Sequence, residues 1–213
     1  MPVLPIGSDR ELMNFAKVFL DGHRERFRKD IAICLKPDAN NSHAYFPALI
    51  TCIAFLDFLS GLHAGKLDGQ KLPDLRNYVS QFMDQAAYTD DRLNVLYECF
   101  RHKVAHLAHP YVVFDTASTR AKTFRGKPRR LITWTVRARG PRPPIDIVLV
   151  DPPKQILKAA TPWPVVYDHR VTVAIRGFAA DITKSILKYL RFLRADAEAR
   201  QNFKKCMADY FPR

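Results

Sequence analysis

The sequence predicts a mainly α-helical protein, a bundle of four or five helices with a small antiparallel β-sheet inserted into it. Three observations lead there. Apolar residues recur at three- and four-residue spacing through residues 9–107. Residues 111–176 lose that period and carry short β-branched runs divided by Gly and Pro. The helical period then returns from residue 178. The chain of 213 residues therefore reads as one domain, 1–213, with 111–176 as a basic, β-rich insertion.

The first helix is expected over residues 9–35, where Leu12, Phe15, Ala16, Leu20, Phe27 and Ile31 fall on one stripe and Ser8 or Asp9 can cap the start. Its run His23-Arg24-Glu25-Arg26-Phe27-Arg28-Lys29 reads as a solvated face. Asn40-Asn41-Ser42 marks a loop. The second helix, over 45–62, is apolar on most sides, and Gly65 lies near its end. The third covers 72–87. Thr89-Asp90-Asp91 forms an N-cap signal for the fourth, over 91–107, which His109-Pro110 ends because the residue before proline disfavours helix. Strands are expected at 111–114, 131–136, 145–150 and 171–175, with Gly126-Lys127-Pro128 and residues 140–144 as turns. Residues 151–153 and 161–164 read as irregular. A helix over 178–193 carries Ile182, Ile186, Leu190 and Leu193 on one side, and 195–211 extends or follows it.

Hydrophobic residues make up 47% of the chain and charged residues 26%, which suits a folded globular protein and excludes global disorder. The apolar run 44–59 is broken by Pro47 and Asp57 and falls short of the ~20 residues a bilayer requires, so a buried core helix is expected and no membrane partner. Residues 1–7 lack the basic and apolar pattern of a secretory signal. Cys34, Cys52, Cys99 and Cys206 form no CxxC pair, and buried thiols in a reducing cytoplasm are expected.

Charge is where the chain departs from the ordinary. It holds 34 Lys and Arg against 21 Asp and Glu, a formal +13. No acidic residue lies between Asp115 and Asp146, and that interval holds Arg120, Lys122, Arg125, Lys127, Arg129, Arg130, Arg137, Arg139 and Arg142. Phe124 and Trp134 are interleaved with them. A one-signed cluster repels itself unless it has a partner, and basic strands with aromatic residues can follow a phosphate backbone while rings stack on bases. Nucleic acid is the expected partner. An acidic protein surface or acidic lipid satisfies the same electrostatics, and so does plain solvation of a charged hairpin.

The second informative segment is Leu96-Tyr97-Glu98-Cys99-Phe100-Arg101-His102-Lys103-Val104-Ala105-His106-Leu107. At 100° per residue, Leu93, Leu96, Tyr97, Phe100, Val104 and Leu107 form an apolar stripe. His102, His106 and His109 fall together nearly opposite it, with Arg101 on the flank. The chemistry these types offer is acid–base work by imidazole near neutrality and anion stabilisation by a permanently charged, forked guanidinium.

Arg101-His102 followed by His106 resembles the motif of the HEPN superfamily, helical bundles with an Arg, four to six residues and then a His late in a helix. The lead-in Leu-Tyr-x-x-Phe-Arg and the helix containing Ala48 to Asp57 are also similar to bacterial members. The likeness covers about residues 11–110, and the β insertion lies outside the common core. It implies RNA binding, with metal-independent endoribonuclease activity in many members. It further implies an active site of Arg101, His102 and His106 at a two-fold homodimer interface formed by this helix, an antitoxin or regulatory protein as a further partner, and no cofactor or metal. Ala108 stands where one toxin branch carries Tyr.

Two other readings stay open from the residues alone. A non-catalytic nucleic-acid or protein-binding dimer would use the basic insertion and keep the Arg–His face as a contact. A metal site would use Cys99, His102, His106 and His109, although one straight helix cannot wrap four ligands around one ion. No GxSxG, P-loop or GxGxxG is present.

Overall fold

The computed structural model describes residues 8–40, 42–101, 113–115, 129–140, 142–156 and 165–211. The protein is mainly helical with a small mixed sheet. Its chain divides into two compact units. The first comprises Met1–His43, Thr51–Asp84 and Ala179–Arg213, and the second Ala44–Ile50 and Gln85–Phe178.

The first unit is helical. Helix α1 spans Asp9–Cys34 and starts at a capping box: the Glu11 N–H donates to Ser8 Oγ at 3.3 Å, and the Ser8 N–H donates to Glu11 Oε2 at 2.9 Å. Its stripe Leu12, Ala16, Leu20, Phe27 and Ile31 is buried as the period predicts. Helix α2 spans Tyr45–Ala64, and its residues from Thr51 onward belong to this unit. Helix α3 spans Leu72–Phe82, where the expectation ran to residue 87. The chain turns instead, and Arg92 Nη1, a residue of the second unit like the turn itself, donates to the carbonyls of Ala86 at 2.8 Å and Ala87 at 3.4 Å. Those carbonyls are satisfied without another helical turn. Helix α5 spans Ile175–Ala195, and α6 spans Ala197–Tyr210; Asp196 separates them because its side chain accepts from the Ala199 N–H at 2.7 Å as an N-cap.

The core of this unit is made of Leu20, Leu56, Leu59, Leu62, Tyr78, Ile186, Tyr189 and Phe203, all at 1% exposure or less. Each such side chain contributes roughly 1.5–3 kcal/mol by leaving water. Phe15 and Phe19 meet Phe203 at ring distances of 6.4 and 6.1 Å, and Phe27 stacks on Phe55 at 4.5 Å. Helix α2 is less enclosed than the sequence predicts. Its length of 20 residues and mean hydropathy of 1.7 make it, among the described residues, the one helix apolar enough to cross a membrane, yet only half of it is buried inside the protein.

The second unit holds the first turn of α2, helix α4 over Asp90–Val95, the start of α5 and the strands. Strands β1 (Val113–Asp115), β2 (Arg129–Arg137), β3 (Ile145–Ile156) and β4 (Val165–Ala174) lie in the order β1-β2-β4-β3. The expected antiparallel sheet is mixed. β4 inserts between β2 and β3, running parallel to the first and antiparallel to the second. The 138–144 connection is too long and proline-rich for a two-residue hairpin turn, so β2 and β3 do not pair directly. That connection instead folds onto β4, where the Ala174 N–H donates to Pro144 O at 2.7 Å. The approach is close: a Cβ at Gly140 would stand 2.9 Å from the Ala174 Cβ. Residues 151–153, expected to be irregular, lie within β3, and the register shifts between Leu149 and Lys154.

Candidate nucleic-acid interface

The expected fourth helix changes character where the motif begins. α4 ends at Val95, and Leu96–Arg101 forms a π-helical stretch. A π turn holds more residues than an α turn, so a 100° wheel misplaces side chains beyond Leu96. Leu93, Leu96 and Phe100 are buried as expected, and so is Cys99. That corrects the reading in which Cys99 shares a polar face with His102. Its thiol sits in the core at 2% exposure, where burial, reinforced by Glu98, pushes its pKa up to about 12. A thiol held protonated inside the core is a poor metal ligand.

Arg101 ends the π stretch and is half-exposed. Its Cζ stands 4.6 Å from the centre of the Tyr97 ring, a cation–π contact one turn back along the helix. Tyr97, expected in the apolar stripe, is half-exposed and forms the platform for the guanidinium. His102, His106 and His109 lie outside the described residues, as do Arg120, Lys122, Arg125 and Lys127.

The sheet accounts for the rest of the basic set. Alternate burial along β2 fixes its two faces. Ile132 and Val136 are buried, and Trp134 falls on their side. The Trp134 ring is half-buried and meets Phe46, from the first turn of α2, nearly edge-on at 5.3 Å. The aromatic offered for base stacking is thus engaged within its own unit. Arg137 is exposed at the end of β2, and Arg139 is exposed just beyond it. Arg129 and Arg130 lie in β2 opposite Asp115 and Phe114 of β1.

One cation escaped the sequence reading. Arg170 of β4 is exposed and sits in register with Thr133 of β2. It lies outside the acid-free interval, and only knowledge of the parallel β2–β4 pairing places it beside that interval's residues.

The second unit carries 16 Lys and Arg against 7 Asp and Glu, and the first 18 against 14. The excess charge is therefore concentrated in the unit that holds the motif and the sheet.

Comparison with protein-family models gives no match, and comparisons with curated proteins and with solved structures give none either. A functional reading therefore stands on these residues and their chemistry.

Proposed function

We propose that the chain is an HEPN-like RNA-binding protein whose Arg101, His102 and His106 form a metal-independent endoribonuclease site completed by a second copy across a two-fold interface. The observation that carries this reading is the setting of Arg101. Its helical neighbours Leu96, Cys99 and Phe100 fill the core, whereas its guanidinium is held half-exposed on the Tyr97 ring, in the strongly basic unit.

In the proposed reaction, His106 takes the proton from a ribose 2′-OH, and the 2′-oxygen attacks the adjacent phosphorus. The bond from phosphorus to the 5′-oxygen breaks as that oxygen receives a proton from an imidazolium. Arg101 stabilises the added negative charge of the transition state, and His102 orients either group. The products are a 2′,3′-cyclic phosphate and a 5′-hydroxyl. DNA lacks the nucleophile and resists.

Incubation of the purified protein with RNA in EDTA tests the reading. Cleavage is expected to fall about 100-fold or more in Arg101→Ala and in His106→Ala, with RNA binding retained. Equal cleavage by both variants and the wild type removes the enzyme. A second reading, a non-catalytic RNA-binding dimer, is favoured by the exposed Arg137 and Arg170, which lie on the sheet and need no motif to bind phosphate. Binding without cleavage by the wild type selects it.

A further inference from the structure

We propose that the outward face of the mixed sheet is a binding surface for the phosphate backbone of single-stranded RNA, with Arg137 and Arg170 as its cationic anchors. This rests on the RNA-binding reading and assigns it a place on the protein.

The two faces of the sheet are distinct. Ile132 and Val136 of β2, Val171 and Val173 of β4 and Ile145 of β3 are buried on one side. The strand register then sets Thr133, Arg170 and Val148 in one row across the other side, and Thr135, Thr172 and Asp146 in the next. Arg137 follows Thr135 on the same face of β2. Thr133, Thr135 and Thr172 are half-exposed, and Arg137 and Arg170 are exposed.

Four residues along β2 and one strand across separate the Arg137 and Arg170 backbones by about 14 Å. Two guanidiniums at that spacing take different phosphates of one extended strand. Threonine hydroxyls between them supply the neutral hydrogen bonds that commonly fix a backbone in register. Neither arginine forms an ion pair with any residue whose side chain is described. In the helical unit, by contrast, Arg24, Arg28 and Arg200 are each paired with a carboxylate. Two acids alternate onto this face, Asp146 on β3 and Asp168 on β4, two residues before Arg170. Neither lies on β2, so a polyanion running between the two arginines is directed along that strand. Val148, exposed in the Arg170 row, offers apolar contact to a sugar or base.

The experiment uses fluorescence anisotropy with a labelled uridine-rich RNA oligonucleotide over a range of salt. The double variant Arg137→Gln/Arg170→Gln is compared with Lys184→Gln/Lys188→Gln, which removes the same charge from exposed positions on α5. The sheet variant is expected to bind at least 10-fold more weakly at low salt. Its plot of log affinity against log salt should be shallower by about 1.4, the value for two lost single-strand phosphate contacts. The α5 variant should lose less than 3-fold. Equal losses in the two variants, or wild-type binding by the sheet variant, overturn the surface while leaving RNA binding intact. No RNA binding by the wild type overturns the functional reading and this surface together. Displacement of the RNA by poly-glutamate at equal charge concentration overturns RNA in favour of an acidic protein.

Discussion

The two units spend their positive charge differently. In the helical unit basic side chains are matched close to home: Lys17 and Arg24 with Asp21, Arg28 with Glu25, Lys66 with Asp74, and Arg200 with Asp9. Such exposed pairs contribute little stability, but they cancel the local field. In the sheet unit the acidic partners are scarce, and Arg137 and Arg170 stand exposed on strands. The apolar interiors differ too. The helical unit buries Phe203, Tyr189 and Tyr78 completely, whereas the sheet covers one face with Ile132, Val171 and Val173 and leaves the other polar. A molecule built this way separates the part with the most enclosed aromatic core from the part that carries most of the excess positive charge.

The largest effect should come from emptying the helical core. Phe203→Ala is expected to cost about 3–5 kcal/mol, the usual range for deleting a fully buried phenyl ring. Urea unfolding measures it, and RNA affinity at temperatures where the variant stays folded should be unchanged. A loss of affinity in the folded variant would break the division of labour.

A smaller effect belongs to the sheet. Gly140→Ala places a methyl 2.9 Å from the Ala174 side chain, where β4 and the 138–144 connection meet. Forcing them apart should cost about 1–3 kcal/mol, in the range of other overpacked contacts, and thermal denaturation reads it. Wild-type stability in this variant would mean that the connection yields freely.

The smallest and most selective effect is an acid sensitivity of the helical unit. His63 is 8% exposed, within 6.2 Å of the Tyr78, Phe82, Tyr189 and Phe192 rings, and its Nδ1 has no hydrogen-bond partner. Burial lowers its pKa, against the opposing pull of Asp196 and Glu198. The unfolded chain therefore takes up a proton below pH about 6.5 that the folded one refuses. The contribution of this group to stability is complete above that pH and declines as acid is added. The melting temperature of the wild type should fall between pH 7 and 5 more steeply than that of His63→Phe. His23, lowered by burial and Arg26, leaves a residual slope in both. Parallel curves would mean that His63 is not the sensitive group.

The helices were legible because burial in α1 and α5 follows a local period that survives translation into sequence: Leu12, Ala16 and Leu20 on one, Ile182, Ile186 and Leu193 on the other. The strands were legible as segments but not as a sheet. β-Branched runs mark Ile145 and Val171 as extended, yet nothing local states that Val171 lies between Trp134 and Ile147, so the parallel pairing was missed. Arg170 was missed with it. In the candidate site, Arg101 was placed correctly off the core and Cys99 is the buried thiol expected, while the metal reading that set Cys99 on the histidine face fails, because a wheel drawn for an α-helix does not hold once the turn widens to π geometry. Tyr97 as a seat for the guanidinium has the same origin: four residues apart suits a contact, but the period alone assigned that ring to the interior.

The break in β3 has a consequence for how the molecule behaves in company. β3 is an outer strand, and Leu149 on it is 60% exposed, the sort of edge onto which a strand from another molecule could be laid. Pro152 and Pro153 lack the N–H such an addition needs, and they fall where the register slips. At the opposite margin the described part of β1 is three residues long. The outer border at β3 is thus divided by its two prolines, and an added strand could pair only with the short segments on either side of them.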